Sequence, residues 1–476
     1  MRTGGRGKRA GHDAVSPSTH GIGSGEPEAT SATTAATTSA ALGEIGAMPG
    51  VEPKASERAP RGFSSLRPLR HRNYALLWSG GLISIIGSWM QTVAVGALIA
   101  SHTGSALWVV AVAAGGFLPI GVLSPIGGAL ADRLPRRPVL IAGNIVAGVV
   151  ALVIALLVAA HEFGPLVLVL LVTAQGSVSA VTGPFQQAIL PDLVPREEFL
   201  AAASLNSAQF NLGRVVGPAL AGATVLAVGY PMAFVANAVS FLAVVAALGF
   251  VHLAPPPGRD DRSALGESLK AGFRAARAEP GCWAAIVLIG IVAVLASPFI
   301  ALVPAVAHRL SELGHHSGAT SVASATAVLT TAQGVGAVVG ALLMAPLAER
   351  FGRGRVLVAS LCLLTPVLVG YDVSPDLVWA SASLFVVGLV YIGVLSGLST
   401  VVQLRAPSEY RGRILSIYLV ALGVAYPIGS LAQGPIADHF GLPRTTVAAA
   451  ATLAVVLVTI RLVHPALFRQ LTAEVH

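Results

Sequence analysis

Gly127-Gly128-Ala129-Leu130-Ala131-Asp132-Arg133-Leu134-Pro135-Arg136-Arg137 is an island of charge between two long apolar runs, and Pro346-Leu347-Ala348-Glu349-Arg350-Phe351-Gly352-Arg353-Gly354-Arg355 is a second such island. In each, a carboxylate stands at the end of an apolar run, with one arginine directly after it and two more within a few residues. The runs flanking the first island, 106–130 and 138–160, are long enough to cross about 30 Å of hydrocarbon at 1.5 Å per residue. The same criterion marks 75–100, 165–190, 201–228 and 231–253 before a break, and 281–307, 320–347, 355–371, 377–404, 412–436 and 443–463 after it. We number these spans 1 to 12. Composition agrees: of 476 residues, 54% are apolar and 11% charged, against about 25% charged in soluble proteins. There is too little charge to cover a water-facing surface.

The two sets of six repeat each other. Asp132-Arg133 and Glu349-Arg350 hold equivalent places, as do Gln187 with Pro191 and Gln403 with Pro407, and the two spacings agree to within one residue. This predicts an all-α membrane protein of twelve transmembrane helices arranged as two parallel six-helix repeats. Residues 1–65, rich in Ala, Thr, Ser and Gly, lack apolar periodicity and read as a disordered tail. The six-helix bundles occupy 66–253 and 281–465. Between them lies a polar linker, 254–280, with Pro255-Pro256-Pro257 and Arg259-Asp260-Asp261-Arg262; 466–476 is a short second tail.

Basic residues near span ends collect in the loops on the side of the N-terminus, leaving Arg309 and Arg444 on the other side. The positive-inside bias places both termini, and the linker, in the cytoplasm. The formal charge of +8 is therefore topological, and no stripe of basic residues suited to nucleic acid is present. Cys282 and Cys362 lie in separate apolar runs and read as buried small hydrophobes.

A helix-end carboxylate with nearby arginines can bond to neighbouring helices in one conformation and release them in another, and Gly128 would let a helix approach closely. The first island resembles the G-x-x-x-D-R-x-G-R-R signature of the major facilitator superfamily, with Gly128, Asp132, Arg133, Arg136 and Arg137 in place and Pro135 where that pattern has glycine. Span 5 carries Gly213-Arg214-Val215-Val216-Gly217-Pro218-Ala219-Leu220-Ala221-Gly222, similar to the G-x-x-x-G-P-x-x-G-G signature of its antiporter-type members, with Ala221 replacing a glycine. A Gly-Pro pair within a helix kinks it and leaves a smooth face for a neighbour. Asn206-Ser207, Asn211 to Arg214, Gly217-Pro218 and Arg411-Gly412-Arg413 look most like the group of the enterobactin exporter and macrolide-efflux-like proteins. The resemblance covers about residues 66–465 and implies the major facilitator fold, a monomer, a small-molecule substrate, and latching of the cytoplasmic side by Asp132, Arg133, Glu349 and Arg350.

Arg214 lies near the middle of span 5, where facing lipid costs about 2.5–3.5 kcal/mol on insertion scales. It must face protein or water. Ser207, Asn211, Arg214 and Pro218 share one helical face, expected to line a central cavity. Arg214 then contacts substrate, switches the halves, or ties down carbonyls of a broken helix. Polar stripes at helical spacing add Ser84, Ser88 and Gln91 beside Trp89 in span 1, Gln175, Ser179, Thr182 and Gln186 in span 4, and Ser396, Ser399 and Gln403 in span 10. The resemblance implies that spans 1, 4, 7 and 10 line the cavity. Tyr391, Tyr418 and Tyr426 offer aromatic surface to a flat substrate or pack in the bilayer.

No acid falls in the middle third of any span, and Val172 stands where the superfamily carries an arginine in span 4. If protons couple to transport, Asp132 is the leading carrier and Asp438 the second. His102, His161, His308, His315 and His316 read as solvated outer-loop residues, so no metal is expected. Nor is a cofactor, for no phosphate-binding loop, nucleophile elbow or HExxH motif occurs. The chain reads as a secondary transporter of the bacterial inner membrane, exporting a small organic compound such as a drug, siderophore or secondary metabolite by alternating access, with proton antiport. An importer or lipid transporter of the same fold, or a non-transporting sensor or scaffold that uses the N-terminal tail, are the alternatives.

Overall fold

A computed structural model describes residues 64–251, 265–314, 318–463 and 465. The expected tail 1–65 (save its last two residues), the second tail 466–476, the proline-rich part of the linker, and His315 and His316 lie outside the described residues. Among the described residues, twelve segments are long and apolar enough to cross a membrane. Spans 1 to 6 are Arg72–Thr103, Ala106–Ala131, Arg136–Ala159, Pro165–Leu193, Phe199–Val228 and Tyr230–Phe250. Span 7 is Pro280–Leu313, and spans 8 to 12 are Ala319–Phe351, Arg353–Asp372, Leu377–Arg405, Arg411–Phe440 and Leu442–Val463. Large exposed side chains such as Val378 at 80% and Leu342 at 73% belong to surface that hydrocarbon, not water, would cover.

Three features depart from the pattern of the sequence. Span 7 is two helices, Pro280–Leu295 and Pro298–Leu313, because Pro298 cannot donate a backbone bond to the preceding turn. Ser297 takes up part of the slack, its backbone N–H and Oγ both donating to the Val292 carbonyl at 3.0 and 3.2 Å. Part of the linker, Leu265–Ala278, is a helix. Cys282 is buried as expected, whereas Cys362 is exposed on span 9. The second helix of span 7 also runs past its expected end, so His308 and Arg309 are helical. Arg309 donates to the carbonyls of Asp372 at 2.9 Å and Ser374 at 3.3 Å, tying span 7 to the end of span 9.

The two charged islands turn differently. After Asp132 the chain uses a short loop, and Pro135, at φ −62°, precedes the first residue of span 3. In the second half Gly352 alone joins spans 8 and 9 at φ +88°, a conformation that favours glycine. Pro135 therefore needs the longer turn that Gly352 replaces.

Glycines set the tightest packing within each half, as expected where helices associate without a hydrophobic driving force. A Cβ on Gly176 of span 4 would stand 2.6 Å from the Gly116 carbonyl oxygen of span 2. In the equivalent pair, spans 8 and 10, a Cβ on Gly336 would overlap the Phe385 carbonyl, and one on Gly388 the Gln333 carbonyl. Gly336→Ala is expected to lower the detergent melting temperature sharply, because overpacking costs about 1–3 kcal/mol or more. Gly290→Ala, where nothing lies within 4 Å, should leave it unchanged; equal effects of the two would refute this packing.

The halves meet through span 2 against span 11, span 5 against span 8, and the second helix of span 7 against spans 1 and 2. Many of these contacts lie toward the end that carries the loop between spans 1 and 2. There Tyr230 Oη donates to the Ala319 carbonyl at 2.7 Å, and a Cβ on Gly96 would stand 2.8 Å from Pro304. Asp438, at the end of span 11, accepts hydrogen bonds from Ser105 Oγ at 2.6 Å, Ala106 N–H at 2.6 Å and Leu107 N–H at 3.1 Å. Its carboxylate caps the N-terminus of span 2, a helix of the other half, where anionic charge is favoured.

Candidate functional site

A cavity lies between the halves at the level of Arg214. Span 1 contributes Trp89, span 2 Phe117, and span 5 Phe210 with Arg214. From the second half come Ile300 of span 7, Gln333 of span 8, Tyr391 with Leu395 of span 10, and Leu422 with Tyr426 of span 11. Trp89 meets Phe210 edge to face with centroids 5.7 Å apart, and Phe117 meets Tyr426 likewise at 5.6 Å. Ring edges against ring faces leave flat apolar walls. The break in span 7 supports one wall: Ser297 Oγ and Tyr391 Oη share a hydrogen bond of 2.7 Å, and Phe299 packs on the Tyr391 ring at 5.4 Å.

Two polar groups enter this apolar space. Arg214 is 6% exposed, and span 8 approaches it so closely that a Cβ on Gly334 would stand 3.2 Å from its carbonyl oxygen. Gln333, 3% exposed, has a buried Nε2 with no hydrogen-bond partner among the described residues. An unpaired buried amide costs about 1–3 kcal/mol, and a ligand acceptor would recover it. Among the described residues no acid lines the cavity. A guanidinium and an amide donor between aromatic walls suit a flat molecule bearing a carbonyl, carboxylate or phenolate.

The kink motif of span 5 holds this arrangement in place. Pro218 is buried; a Cβ on Gly213 would stand 2.8 Å from Ile85, and one on Gly217 2.9 Å from the Ile86 carbonyl, both on span 1. Gly222 faces the other way, with a Cβ there 2.7 Å from Ala327 of span 8. Span 5 is thus wedged between span 1 of its own half and span 8 of the other, with Arg214 at its centre.

The other residues singled out from sequence are dispersed. Ser207 is exposed and Asn211 half-buried, Asn211 Nδ2 donating to the Ser207 carbonyl at 3.1 Å on the face of Arg214. Ser84 is buried and Ser88 half-buried in span 1. Gln91 and Gln175 do not open into the cavity's lining: Gln91 Nε2 donates to Gln175 Oε1, and Asn237 Nδ2 donates to Gln91 Oε1 at 2.7 Å. With Ser240 Oγ on Asn237 Oδ1 at 3.1 Å, they form a buried network joining spans 1, 4 and 6. Ser179 is exposed; Thr182 packs against Gly143 of span 3. Ser399 accepts from Gln403 Nε2 at 3.0 Å, and Ser396 is half-buried beside it. Tyr418 donates to the Leu395 carbonyl at 3.0 Å and stays in the core.

At the arginine-rich end, Arg136 and Arg137 work within the first half. Arg136 pairs with Asp192 at 2.6 Å and donates to the Ala188 carbonyl at 2.8 Å, while Arg137 caps span 6 through the Leu248 and Gly249 carbonyls at 2.8 and 2.7 Å. Asp132, Arg133, Glu349 and Arg350 are exposed. Among the described residues none of the four joins an ion pair, and the Arg350 guanidinium lies 5.3 Å over the Phe351 ring. The glycine on which a neighbour presses is Gly127, where a Cβ would stand 2.8 Å from the Val181 carbonyl; Gly128 has nothing within 4 Å.

Sequence reasoning missed Gln333, Phe117, Phe210 and Ile300. Gln333 had a signal: Thr326, Thr330 and Gln333 repeat the i, i+4, i+7 stripe, in a span outside those that the resemblance singled out. The aromatic residues had none, for they look like any other apolar residue of a span.

Residues 63–473 match the family described as transmembrane secretion effector. The chain is 26% identical over 388 residues to the multidrug efflux pump Tap of Mycolicibacterium fortuitum, covering 78% of this chain and 91% of that one. It is 27% identical over 389 residues to the enterobactin exporter EntS of Escherichia coli, covering 80% and 88%. Among solved structures, a bacterial homologue of the human lysosomal transporter Spinster superposes with a TM-score of 0.67 at 15% identity, over 86% of this chain and 100% of that one.

Proposed function

The chain belongs to the transmembrane secretion effector family of the major facilitator superfamily and is a multi-pass membrane transporter rather than an enzyme; from that premise we propose that it exports small aromatic, neutral or anionic compounds by alternating access. The observation that carries this reading is that buried Arg214 and a Gln333 Nε2 with no hydrogen-bond partner among the described residues share one cavity with aromatic walls. The names of the relatives, a multidrug efflux pump and an enterobactin exporter, support export as the direction.

In this reading the chain sits in the bacterial inner membrane as a monomer with both termini cytoplasmic, an orientation that the positive-inside bias supports. The arginine-rich end then faces the cytoplasm. Asp438 holds the outer end shut, while Asp132, Arg133, Glu349 and Arg350 stand unlatched at the inner end, a state that admits cargo from the cytoplasm. On outward opening the Asp438 contacts break and the inner groups engage. Export against a gradient is driven by proton antiport, with Asp132 as carrier.

The test is accumulation of a panel of flat compounds in a bacterial strain lacking its own pumps. Anionic and neutral aromatic compounds should accumulate less when the protein is expressed, an uncoupler should restore them, and lipophilic cations should be unaffected. Preferential export of cations would overturn the cargo class, and uncoupler-resistant export would overturn the antiport.

A further inference from the structure

We propose that the groove between the Leu265–Ala278 helix and span 11 holds an anionic phospholipid of the surrounding bilayer. The helix presses its small residues inward: Ala276 is fully buried, and a Cβ on Gly272 would stand 2.8 Å from Arg413 Cβ at the start of span 11. Its other side carries Lys270, Phe273, Arg274 and Arg277, all exposed, with Phe273 at 43%. The groove itself is lined by Lys270, Phe273, Arg274 and Ile417.

Three observations select the occupant. The first is charge: the helix has three bases and one acid, Glu267, and among the described residues neither Lys270 nor Arg274 joins an ion pair, while Glu279 is engaged by Arg405 at 3.7 Å. The second is apolar area beside the charge. Phe273 stands edge to face with Trp283 of span 7 at 5.4 Å, and Arg277 lies 5.7 Å over the same indole, so Phe273 is fixed as a wall beside Ile417. The third is depth. The helix ends at Ala278, one residue short of Pro280 where span 7 begins, and packs on the first turns of span 11, which is the level of lipid headgroups.

A soluble anion would use the two cations and leave Phe273 and Ile417 bare. A phospholipid places its phosphate between Lys270 and Arg274 and lays its first acyl methylenes on the apolar wall. A zwitterionic headgroup returns a positive charge to this site, so the anionic class is preferred. The site lies outside the central cavity and does not depend on what the protein exports.

The full-length protein, purified in mild detergent and offered equal amounts of phosphatidylglycerol and phosphatidylcholine, is read by native mass spectrometry. Phosphatidylglycerol should be retained preferentially. Lys270→Gln with Arg274→Gln should weaken its retention roughly thirtyfold, at about fivefold per basic residue, with an unchanged melting temperature. Arg353→Gln with Arg355→Gln, which removes equal charge from the first turn of span 9, should leave it intact, and Phe273→Ser should weaken it by itself. Equal retention in the Lys270/Arg274 variant, or equal loss in the Arg353/Arg355 variant, overturns the site. Displacement of the lipid by millimolar inorganic phosphate would also overturn it, in favour of a soluble anion.

Discussion

Replacing Arg214 by alanine is expected to cut export at least tenfold while the protein still inserts and folds. A charge-assisted hydrogen bond to cargo contributes about 1.5–3 kcal/mol, so its loss lowers efflux roughly tenfold to more than a hundredfold. Arg214→Lys should rescue only part of this, since a point ammonium lacks the planar fork that meets a carboxylate or carbonyl at two atoms. Gln333→Leu removes a neutral donor and also the penalty of leaving it unpaired, so its cost is smaller and falls mainly on apparent cargo affinity. The measurement is initial efflux rate over a range of cargo concentrations, with detergent melting as the control. Unchanged efflux in Arg214→Ala would remove Arg214 from the cargo site. Lost efflux with a collapsed melting transition would instead make it a tie for the wall between spans 5 and 8.

The second large effect is expected at Asp438. Asp438→Ala deprives Ser105 and the first two amides of span 2 of the acceptor that joins them to span 11. Water competes at this exposed position, so the carboxylate is worth about 1–2 kcal/mol to the closed end at the loop between spans 1 and 2, roughly a tenfold shift in population. Asp438→Asn keeps an acceptor but not the charge, and should fall between. Spin labels at Glu162→Cys and Val373→Cys, one in each half at this end, report the change once Cys362→Ser has removed the exposed native thiol. The long-distance population should grow in Asp438→Ala. An identical distance distribution would mean that apolar contacts such as Gly96 against Pro304 close this end without help from Asp438.

These two residues differ in how far they were legible. Arg214 announced itself, because a cation in the middle of an apolar run has few places to go and each of them lies inside the protein. Asp438 was visible only as an acid near the end of a span. That it caps span 2 depends on bringing together segments more than three hundred residues apart, which no local pattern records. Gln91 and Gln175 show the converse: their spacing placed them on polar stripes, yet they satisfy each other and Asn237 inside one half. A stripe says that a helix has a polar face, not whether that face meets a cavity or another helix.

The broken span 7 lies between these cases. Pro298 was plain in the sequence, but a proline within an apolar run is also tolerated in continuous transmembrane helices, as Pro218 is in span 5. What differs is the neighbourhood: Ser297 finds both the Val292 carbonyl and Tyr391, so the freed backbone and its side chain are satisfied where the helix parts.

Sequence alone determined the number of spans, the duplication and the family, because a bilayer demands about twenty apolar residues per crossing and leaves charge only in the loops. It also singled out Arg214. Tertiary structure decided which polar groups are spent on one another and which face the cavity, joining Gln91 to Gln175 and leaving Gln333 beside Arg214. It placed the Asp438 carboxylate on a helix of the opposite half and laid the 265–278 helix along span 11. The physical reason is common to all four: helical periodicity fixes the direction of a side chain about its own axis, whereas its partner depends on which helix lies opposite.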